Sequence, residues 1–190
     1  MTDIEIILKK TCAIKEGHFK LASGNHSAYY FQAQSMLQYP DYASRAGSAI
    51  AELWKKENIQ TVVSLAIGGI VIGQEVARYL GVRHIFLERK DSNFSLRRGF
   101  SLEKEERILL VEDVITTGGS LKEAIDIITP LGVVIAGITS IVVRGTPRFD
   151  HDFRYLHKID WPKYAEAECP LCREGIPLQT PGTKQTKTTI

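Results

Sequence analysis

Residues 107–120, RILLVEDVITTGGS, constrain the fold of this 190-residue chain more than any other segment. A continuous apolar run predicts a buried strand, which Glu112 and Asp113 end, and a loop of small and hydroxyl residues then opens an amphipathic helix. Ligands of open α/β sheets bind beyond the carboxyl ends of strands, and helix N-termini attract phosphate. The segment therefore predicts an anion cradle beside paired acids, which suits a ligand with both a phosphate and ribose hydroxyls.

The loop after the acids has the chemistry of a phosphate site. Gly118 and Gly119 let the backbone approach a ligand closely, and successive N–H groups there form an anion-binding nest. Thr116, Thr117 and Ser120 add hydroxyl donors. No lysine follows the glycines, so the loop is not a Walker P-loop, and it is not GxGxxG. A solvated acidic strand end before an ordinary helix is the alternative, which the ordered series of strand, acids, loop and helix disfavours.

The hydrophobic pattern from residue 61 onward alternates between strand and helix. It predicts strands at 61–66, 82–87, 107–111 and 133–143, and helices at 70–80 and 120–131 that end before Gly81 and Gly132. This alternation predicts an α/β protein with a mostly parallel sheet and helices on both faces.

Three shorter patterns surround this core. Residues 3–11 have helical spacing, residues 17–34 suggest a hairpin or two short extended pieces, and residues 41–57 predict a helix with Asp41 as its N-cap. Residues 90–106 are charged and lack apolar periodicity, which indicates a functional lid or a disordered loop. The polar residues 181–190 are expected to fray.

Composition excludes several other classes of protein. With 44% hydrophobic residues the chain can bury a core, and its net charge of +2 gives no general case for binding nucleic acid or membranes. No apolar run approaches the roughly 20 residues of a membrane span. The N-terminus does not read as a signal peptide, and three cysteines are too few for a secreted disulfide framework. We therefore expect a protein of the reduced cytoplasm.

Residues 107–120 resemble the phosphoribosyl-pyrophosphate (PRPP) binding motif of the type I phosphoribosyltransferases. Four further stretches resemble the orotate phosphoribosyltransferases: GHFKLASGNHSAYYFQ (17–32), SLAIGGIVIGQEVARYLG (64–81), LERKDSNFSLRRGF (87–100) and CPLCREGIPLQTPGT (169–183). The last of these stretches is similar to the C-terminal end of a compact bacterial and archaeal branch of that family. The resemblance implies the type I phosphoribosyltransferase fold, α/β with a small N-terminal hood subdomain. It implies one domain, with hood elements at 1–40, an α/β core at 41–160 and a C-terminal extension at 161–190.

The same resemblance implies an activity. The phosphoribosyl group of PRPP would pass to orotate, giving orotidine 5′-phosphate and pyrophosphate in pyrimidine biosynthesis. It also implies a homodimer and Mg²⁺ held mainly by PRPP, with Glu112 and Asp113 nearby but no direct protein ligand. Two alternatives stay open: a phosphoribosyltransferase for another base, and a regulator that senses PRPP without catalysis.

The resemblance assigns roles to individual residues. The PRPP site takes in the acids, both glycine loops and two basic residues: Glu112, Asp113, Val114, Ile115, Thr116, Thr117, Gly118, Gly119, Ser120, Ile67, Gly68, Gly69, Arg89 and Lys90. The catalytic roles fall to Glu112, Asp113 and the lid residues Arg97 and Arg98. The orotate site takes in Tyr30 and Phe31, which would cover the ring, together with Thr116 and Arg144, whose guanidinium suits a carboxylate.

Two positions depart from the family pattern. Many relatives carry lysine where this chain has Ala22 and Gly68, so other cations must meet part of the ligand charge. The lid is also shorter than in better-studied relatives and has no histidine.

The remaining chemistry is a pair of cysteines, Cys169 and Cys172. One CxxC supplies half of a tetrahedral zinc site. We favour ordinary thiols, with a metal site and a redox pair as alternatives. The five histidines show no metal-ligand spacing, so we expect surface or packing roles for His18 and His26.

Overall fold

Six strands form a central sheet in the computed structural model, which describes residues 3–21, 23–91 and 93–181. The spatial order is β5-β4-β3-β6-β7-β8, and all neighbours are parallel except β5, which runs antiparallel to β4. The strands are β3 (Thr61–Leu65), β4 (Arg83–Lys90), β5 (Asn93–Leu96), β6 (Arg107–Ile115), β7 (Val134–Arg144) and β8 (Phe153–Ile159). The predicted α/β class with a mostly parallel sheet is confirmed.

Helices cover both faces of this sheet. They are α1 (Asp3–Lys10), α2 (Gln34–Leu37), α3 (Pro40–Trp54), α4 (Gly69–Leu80), α5 (Gly119–Ile128) and α6 (Pro170–Arg173), with 3₁₀ turns at Thr129–Leu131 and Glu166–Glu168. Side chains of β6 alternate between two cores: Leu109 and Val111 join α1, α3 and α4, whereas Ile108 and Leu110 join α5. Burial on both faces explains the continuous apolar run. None of the described helices is long and apolar enough to cross a membrane.

An antiparallel hairpin lies outside the central sheet. Its strands are β1 (Ile14–Lys20) and β2 (His26–Phe31), which confirms the predicted hairpin. Two isolated bridges, Phe19 to Gln179 and His26 to Tyr164, join the hairpin to the end of the chain. Ala22 and residues 182–190, which carry two of the predictions, lie outside the described residues.

The strand predicted at 107–111 is four residues longer than expected. β7 continues to pair with β6 as far as Ile115, whereas the last pairing of β3 with β6 joins Ser64 to Val111. Glu112 and Asp113 therefore lie within β6, where one neighbour has ended and the sheet opens into a crevice.

Three other predictions were wrong in detail. Helix α3 begins at Pro40 and ends at Trp54, and Asp41 lies in its first turn and is not the N-cap, because proline suits the first helical position. The segment 90–106 is not structureless: Phe94 is buried, which anchors β5 as an edge strand. Pro130 stands in a 3₁₀ turn that follows α5, so the predicted helix 120–131 divides there.

Candidate active site

The acid pair lies at the crevice beyond the end of β3. Asp113 is 9% exposed, and Gln34 Nε2 at the start of α2 donates a hydrogen bond to its Oδ2 at 3.1 Å. Gly68, at the head of α4, contacts the same carboxylate, since a Cβ there would lie 2.7 Å from both oxygens. The structure thus brings the acids and the glycine loop at 67–69 together.

Burial raises the pKa of both acids. Desolvation, with the charge of Asp113 as the next cause, raises the pKa of Glu112 to about 8. Burial also raises the pKa of Asp113, although hydrogen bonds from Gln34 and from backbone N–H groups oppose the rise. Because a nearby cation favours the ionised form, this pair fits a site that receives positive charge or hydroxyl donors with its ligand.

Replacing Glu112 by glutamine is expected to stabilise the ligand-free protein at alkaline pH. Folding raises the carboxyl pKa from about 4.5 to about 8, so the stability that Glu112 contributes is complete below pH 4.5 and is lost as pH rises through 8. The variant should gain on the order of 2 kcal/mol over wild type above pH 8, a figure reduced for solvent screening. Urea unfolding across this pH range measures the difference.

Glu103→Gln, which alters an exposed carboxylate, is the matched control and should not show this pH trend. A pH-independent difference between Glu112→Gln and wild type would contradict the raised pKa of Glu112.

The loop after β6 is one of the two loops that are predicted to bind phosphate groups. Gly118 has φ +78°, and a Cβ on it would lie 2.6 Å from Phe149 Cζ, so glycine is required on both counts. Helix α5 then begins at Gly119, where first-turn amides have no intrahelical acceptor. Ser120 lies in that turn. The side chain of Ile115 is buried in the core, so only its backbone is available to a ligand.

The second glycine loop joins β3 to α4. The peptide bond between Ala66 and Ile67 is cis, and the Ile67 side chain is 86% exposed. Because Gly69 begins the helix, the amides of its first turn lack intrahelical acceptors, which suits an anion such as pyrophosphate. The close approach of Gly68 to the Asp113 carboxylate leaves no room for a longer side chain at this position in the present arrangement.

Replacing Gly68 by alanine is expected to lower activity with PRPP by about 10²-fold, because small misplacements of reacting groups have effects of this size. The new Cβ would push the Asp113 carboxylate away from Gln34. Initial rates across PRPP concentrations measure the effect. Val134→Ala, at the exposed start of β7 and the opposite end of the sheet, is the control, and unchanged kinetics in Gly68→Ala would contradict the contact.

A separate cavity of 270 Å³ adjoins the phosphate loop. Its walls are Leu21, Ser23, Thr116, Thr117, Arg144 and Lys163. Arg144 Nε is buried and has no hydrogen-bond acceptor among the described residues. Burial lowers the pKa of Arg144, but guanidinium stays charged in proteins. A small cavity with two cations suits a flat anion.

The two aromatic residues predicted to cover the base separate in the structure. Successive side chains of a strand point to opposite faces. Tyr30 packs near Phe19, with ring centres 5.6 Å apart, on the opposite face of β2 from Phe31 and near Arg144 of the cavity wall. Phe31 is 5% exposed and packs in the core with α1, so the structure does not bring it to the cavity.

The predicted phosphate-binding arginines contact carboxylates of the same chain. Arg89 makes two contacts with Glu123, at 2.8 and 3.1 Å, and stacks over Phe94. Arg97 and Arg98 both pair with Glu88, at 3.6 and 2.9 Å. Lys90 is exposed at the end of β4. Their contacts with PRPP stay a prediction.

Sequence reasoning missed two residues of this region. Gln34 holds Asp113, and Lys163 extends toward Gly145 from the loop after β8. Neither belongs to a motif, because a glutamine opening a short helix and a lone loop lysine have no characteristic spacing. The β8 strand that leads to Lys163 was also missed, since its FRYLHKI pattern mixes charge with apolar residues.

Comparison with known proteins agrees with this geometry. A family model described as a phosphoribosyl transferase domain matches residues 33–170. The orotate phosphoribosyltransferase of Chlorobaculum parvum is 46% identical over 97% of both chains, and that of Thermotoga maritima is 42% identical over 97% of this chain and 100% of the relative.

The fold has solved counterparts as well. The crystal structure of orotate phosphoribosyltransferase from Aeropyrum pernix superposes with a TM-score of 0.73 at 21% identity, over 83% of this chain and 94% of that chain. Fold and site together define a phosphoribosyl transferase domain. With the close relatives above, the chain belongs to the phosphoribosyltransferase family and, within it, to the orotate phosphoribosyltransferases.

Proposed function

We propose that this protein transfers the 5-phosphoribosyl group of PRPP to orotate and releases orotidine 5′-phosphate and pyrophosphate. The observation that carries the proposal is the cavity in which Arg144 and Lys163 adjoin the PRPP-type loop through Thr116, with no hydrogen-bond acceptor for the buried Arg144 Nε among the described residues. Orotate is a flat ring with one carboxylate, which an arginine fork binds bidentately. Near-full-length relatives with that activity in their names support the same substrate.

The reaction is a displacement at the anomeric carbon of PRPP. The orotate N1 atom forms a bond to that carbon, the bond to pyrophosphate breaks with its electron pair, and the configuration inverts. The N1 proton is lost to solution, so no strong protein base is needed. Arg144 holds the carboxylate and Tyr30 lies toward the ring, which fixes N1 in line with the leaving group.

The crevice residues hold PRPP around this line. Glu112 and Asp113 accept hydrogen bonds from ribose hydroxyls, and their charge stabilises an oxocarbenium-like transition state. The 5′-phosphate binds the loop at 116–120 and the start of α5, while the pyrophosphate binds the loop at 67–69. Arg89, Arg97 and Arg98 exchange their carboxylate partners for phosphate oxygens, and the exposed Lys90 adds a further positive charge.

The residues present fit a divalent cation beside PRPP. Glu112 and Asp113 are adjacent carboxyl groups with raised pKa values, and a nearby cation would stabilise their ionised forms. Carboxylate and phosphate oxygens are also the atoms that Mg²⁺ prefers. When bound with PRPP, Mg²⁺ offsets the negative charge of the leaving pyrophosphate.

The proposal extends to assembly and location. The chain works as a cytoplasmic homodimer with hood elements at 1–40, a core at 41–160 and an extension at 161–190. Arg97 and Arg98 have side chains that are 45% and 64% exposed, which leaves them accessible to the site of a second subunit.

A base panel tests the substrate. Pyrophosphate release is measured with PRPP, Mg²⁺ and either orotate, uracil or adenine, where uracil differs from orotate only by the missing carboxylate. Release with orotate alone is expected. Equal pyrophosphate release with uracil and orotate would contradict the role of Arg144. Pyrophosphate release with adenine but not with orotate would establish a different base. PRPP binding without pyrophosphate release from any base would indicate a protein that senses PRPP without catalysis.

A further inference from the structure

Four potential metal ligands, far apart in the sequence, meet between the hairpin and the end of the chain. They are His18 of β1, His26 of β2, Cys169 and Cys172, whose ligand atoms all lie within 4.8 Å of one another. The two histidines are 1% and 0% exposed, so of the surface or packing roles expected for them the surface role is wrong. No spacing rule could show this, since the histidines and cysteines are about 150 residues apart.

The distances resemble the edges of a tetrahedron. The His18 Nε2 atom lies 2.9 Å from His26 Nδ1, 3.5 Å from Cys169 Sγ and 3.7 Å from Cys172 Sγ, and Cys172 Sγ lies 3.3 Å from His26 Nδ1. Bonds of about 2.3 Å to sulfur and 2.0 Å to nitrogen place tetrahedral zinc ligands about 3.3 to 3.8 Å apart. Small outward shifts would therefore accommodate an ion.

The surroundings orient the ligand atoms toward the centre. His18 Nδ1 donates a hydrogen bond to the Ile176 carbonyl at 2.7 Å, which leaves the Nε2 lone pair facing the cluster. His26 Nε2 is buried with no partner among the described residues, so Nδ1 is the nitrogen that faces inward. Both cysteines are free thiols; Cys169 is buried, whereas Cys172 is exposed and offers an entry path.

We propose that His18, His26, Cys169 and Cys172 bind one Zn²⁺ in a structural Cys₂His₂ site. Two thiolates and two imidazoles in a tetrahedral arrangement select zinc over the oxygen-preferring Mg²⁺, and the two thiolates balance its charge. Four protein ligands leave no open position, so the ion is structural and takes no part in group transfer. The site is independent of the proposed function.

Zinc would fasten the hairpin to the C-terminal segment. These parts already meet through Lys20 N to the Gln179 carbonyl, Gln179 N to the His18 carbonyl and His26 N to the Tyr164 carbonyl, each at 2.8 Å. The hairpin carries Tyr30, and Tyr164 follows Lys163 of the base cavity. A metal cross-link between them would hold one wall of that cavity in place and add binding free energy to folding.

Metal analysis of the untagged full-length chain tests the site. The protein is dialysed against Zn²⁺, and unbound metal is then removed. Elemental mass spectrometry should find one zinc per chain in wild type and in the Cys12→Ser variant, because Cys12 is exposed and lies outside the cluster. Cys172→Ser and Cys169→Ser should retain little or none. Zinc content in both variants equal to wild type would overturn the proposal, as would a wild type without zinc.

Two measurements on wild type do not depend on variant folding. Co²⁺ should give the visible bands of a tetrahedral site together with sulfur-to-metal charge transfer, and Zn²⁺ should displace them; octahedral spectra would overturn the proposal. Thiol titration of protein that has been denatured in the presence of a metal chelator should find all three cysteines reduced. A single reactive thiol would instead identify a Cys169–Cys172 disulfide and a redox pair.

Discussion

Replacing Asp113 by asparagine is expected to lower kcat by about 10²- to 10³-fold, the range seen when one group that stabilises transition-state charge is removed. The amide keeps the shape of the side chain but removes the negative charge that is proposed to face the ribose of PRPP. Stability should change little or rise, because burial already disfavours the charged form of this carboxyl. Steady-state kinetics and urea unfolding measure the two effects separately.

Asp126→Asn is the matched control, since Asp126 is exposed on α5 away from the crevice. It should retain wild-type kcat. If Asp113→Asn also retained wild-type kcat, or lost activity only in proportion to unfolding, Asp113 would have no catalytic role.

Replacing Arg144 by methionine is expected to raise KM for orotate by about 10- to 100-fold, the equivalent of losing hydrogen bonds to a charged group. KM for PRPP should stay close to wild type, because Arg144 lies at the end of β7 and belongs to neither of the proposed phosphate loops, at 67–69 and 116–120. Stability should hold or increase, since the buried Nε without a partner is removed. Arg144→Lys, which keeps the charge but not the fork, should be intermediate.

Arg148→Met removes an exposed arginine outside the cavity and serves as the control. Equal increases in KM for PRPP and orotate in Arg144→Met would show that the substitution disturbs the whole site. An unchanged KM for orotate would remove Arg144 from base recognition.

Local patterns predicted the part of the fold that local forces dominate. The βα units around β3, β6, α4 and α5 could be predicted because apolar runs, small-residue loops and terminal glycines lie next to one another in the sequence. The acid pair was found for the same reason. Its opening into a crevice, however, depends on β3 ending its pairing with β6 at Val111 while β7 continues to Ile115. The relative lengths of neighbouring strands cannot be deduced from the sequence of one strand.

Contacts between distant segments could not be predicted. Phe31 was assigned to the base site, yet the hairpin places it in the core beside α1. Lys163 reaches the base cavity only because β8 adds to the sheet edge and returns the chain there. The cluster of His18, His26, Cys169 and Cys172 likewise forms only because the C-terminal segment pairs with the hairpin.

The most direct test is the ultraviolet absorbance of orotate mixed with the protein, PRPP and Mg²⁺. If the protein couples orotate to PRPP as proposed, absorbance falls only when PRPP and Mg²⁺ are both present, with one pyrophosphate released per orotate consumed. Unchanged orotate absorbance, with PRPP binding still seen by calorimetry, would contradict phosphoribosyl transfer to orotate while leaving the phosphate site intact.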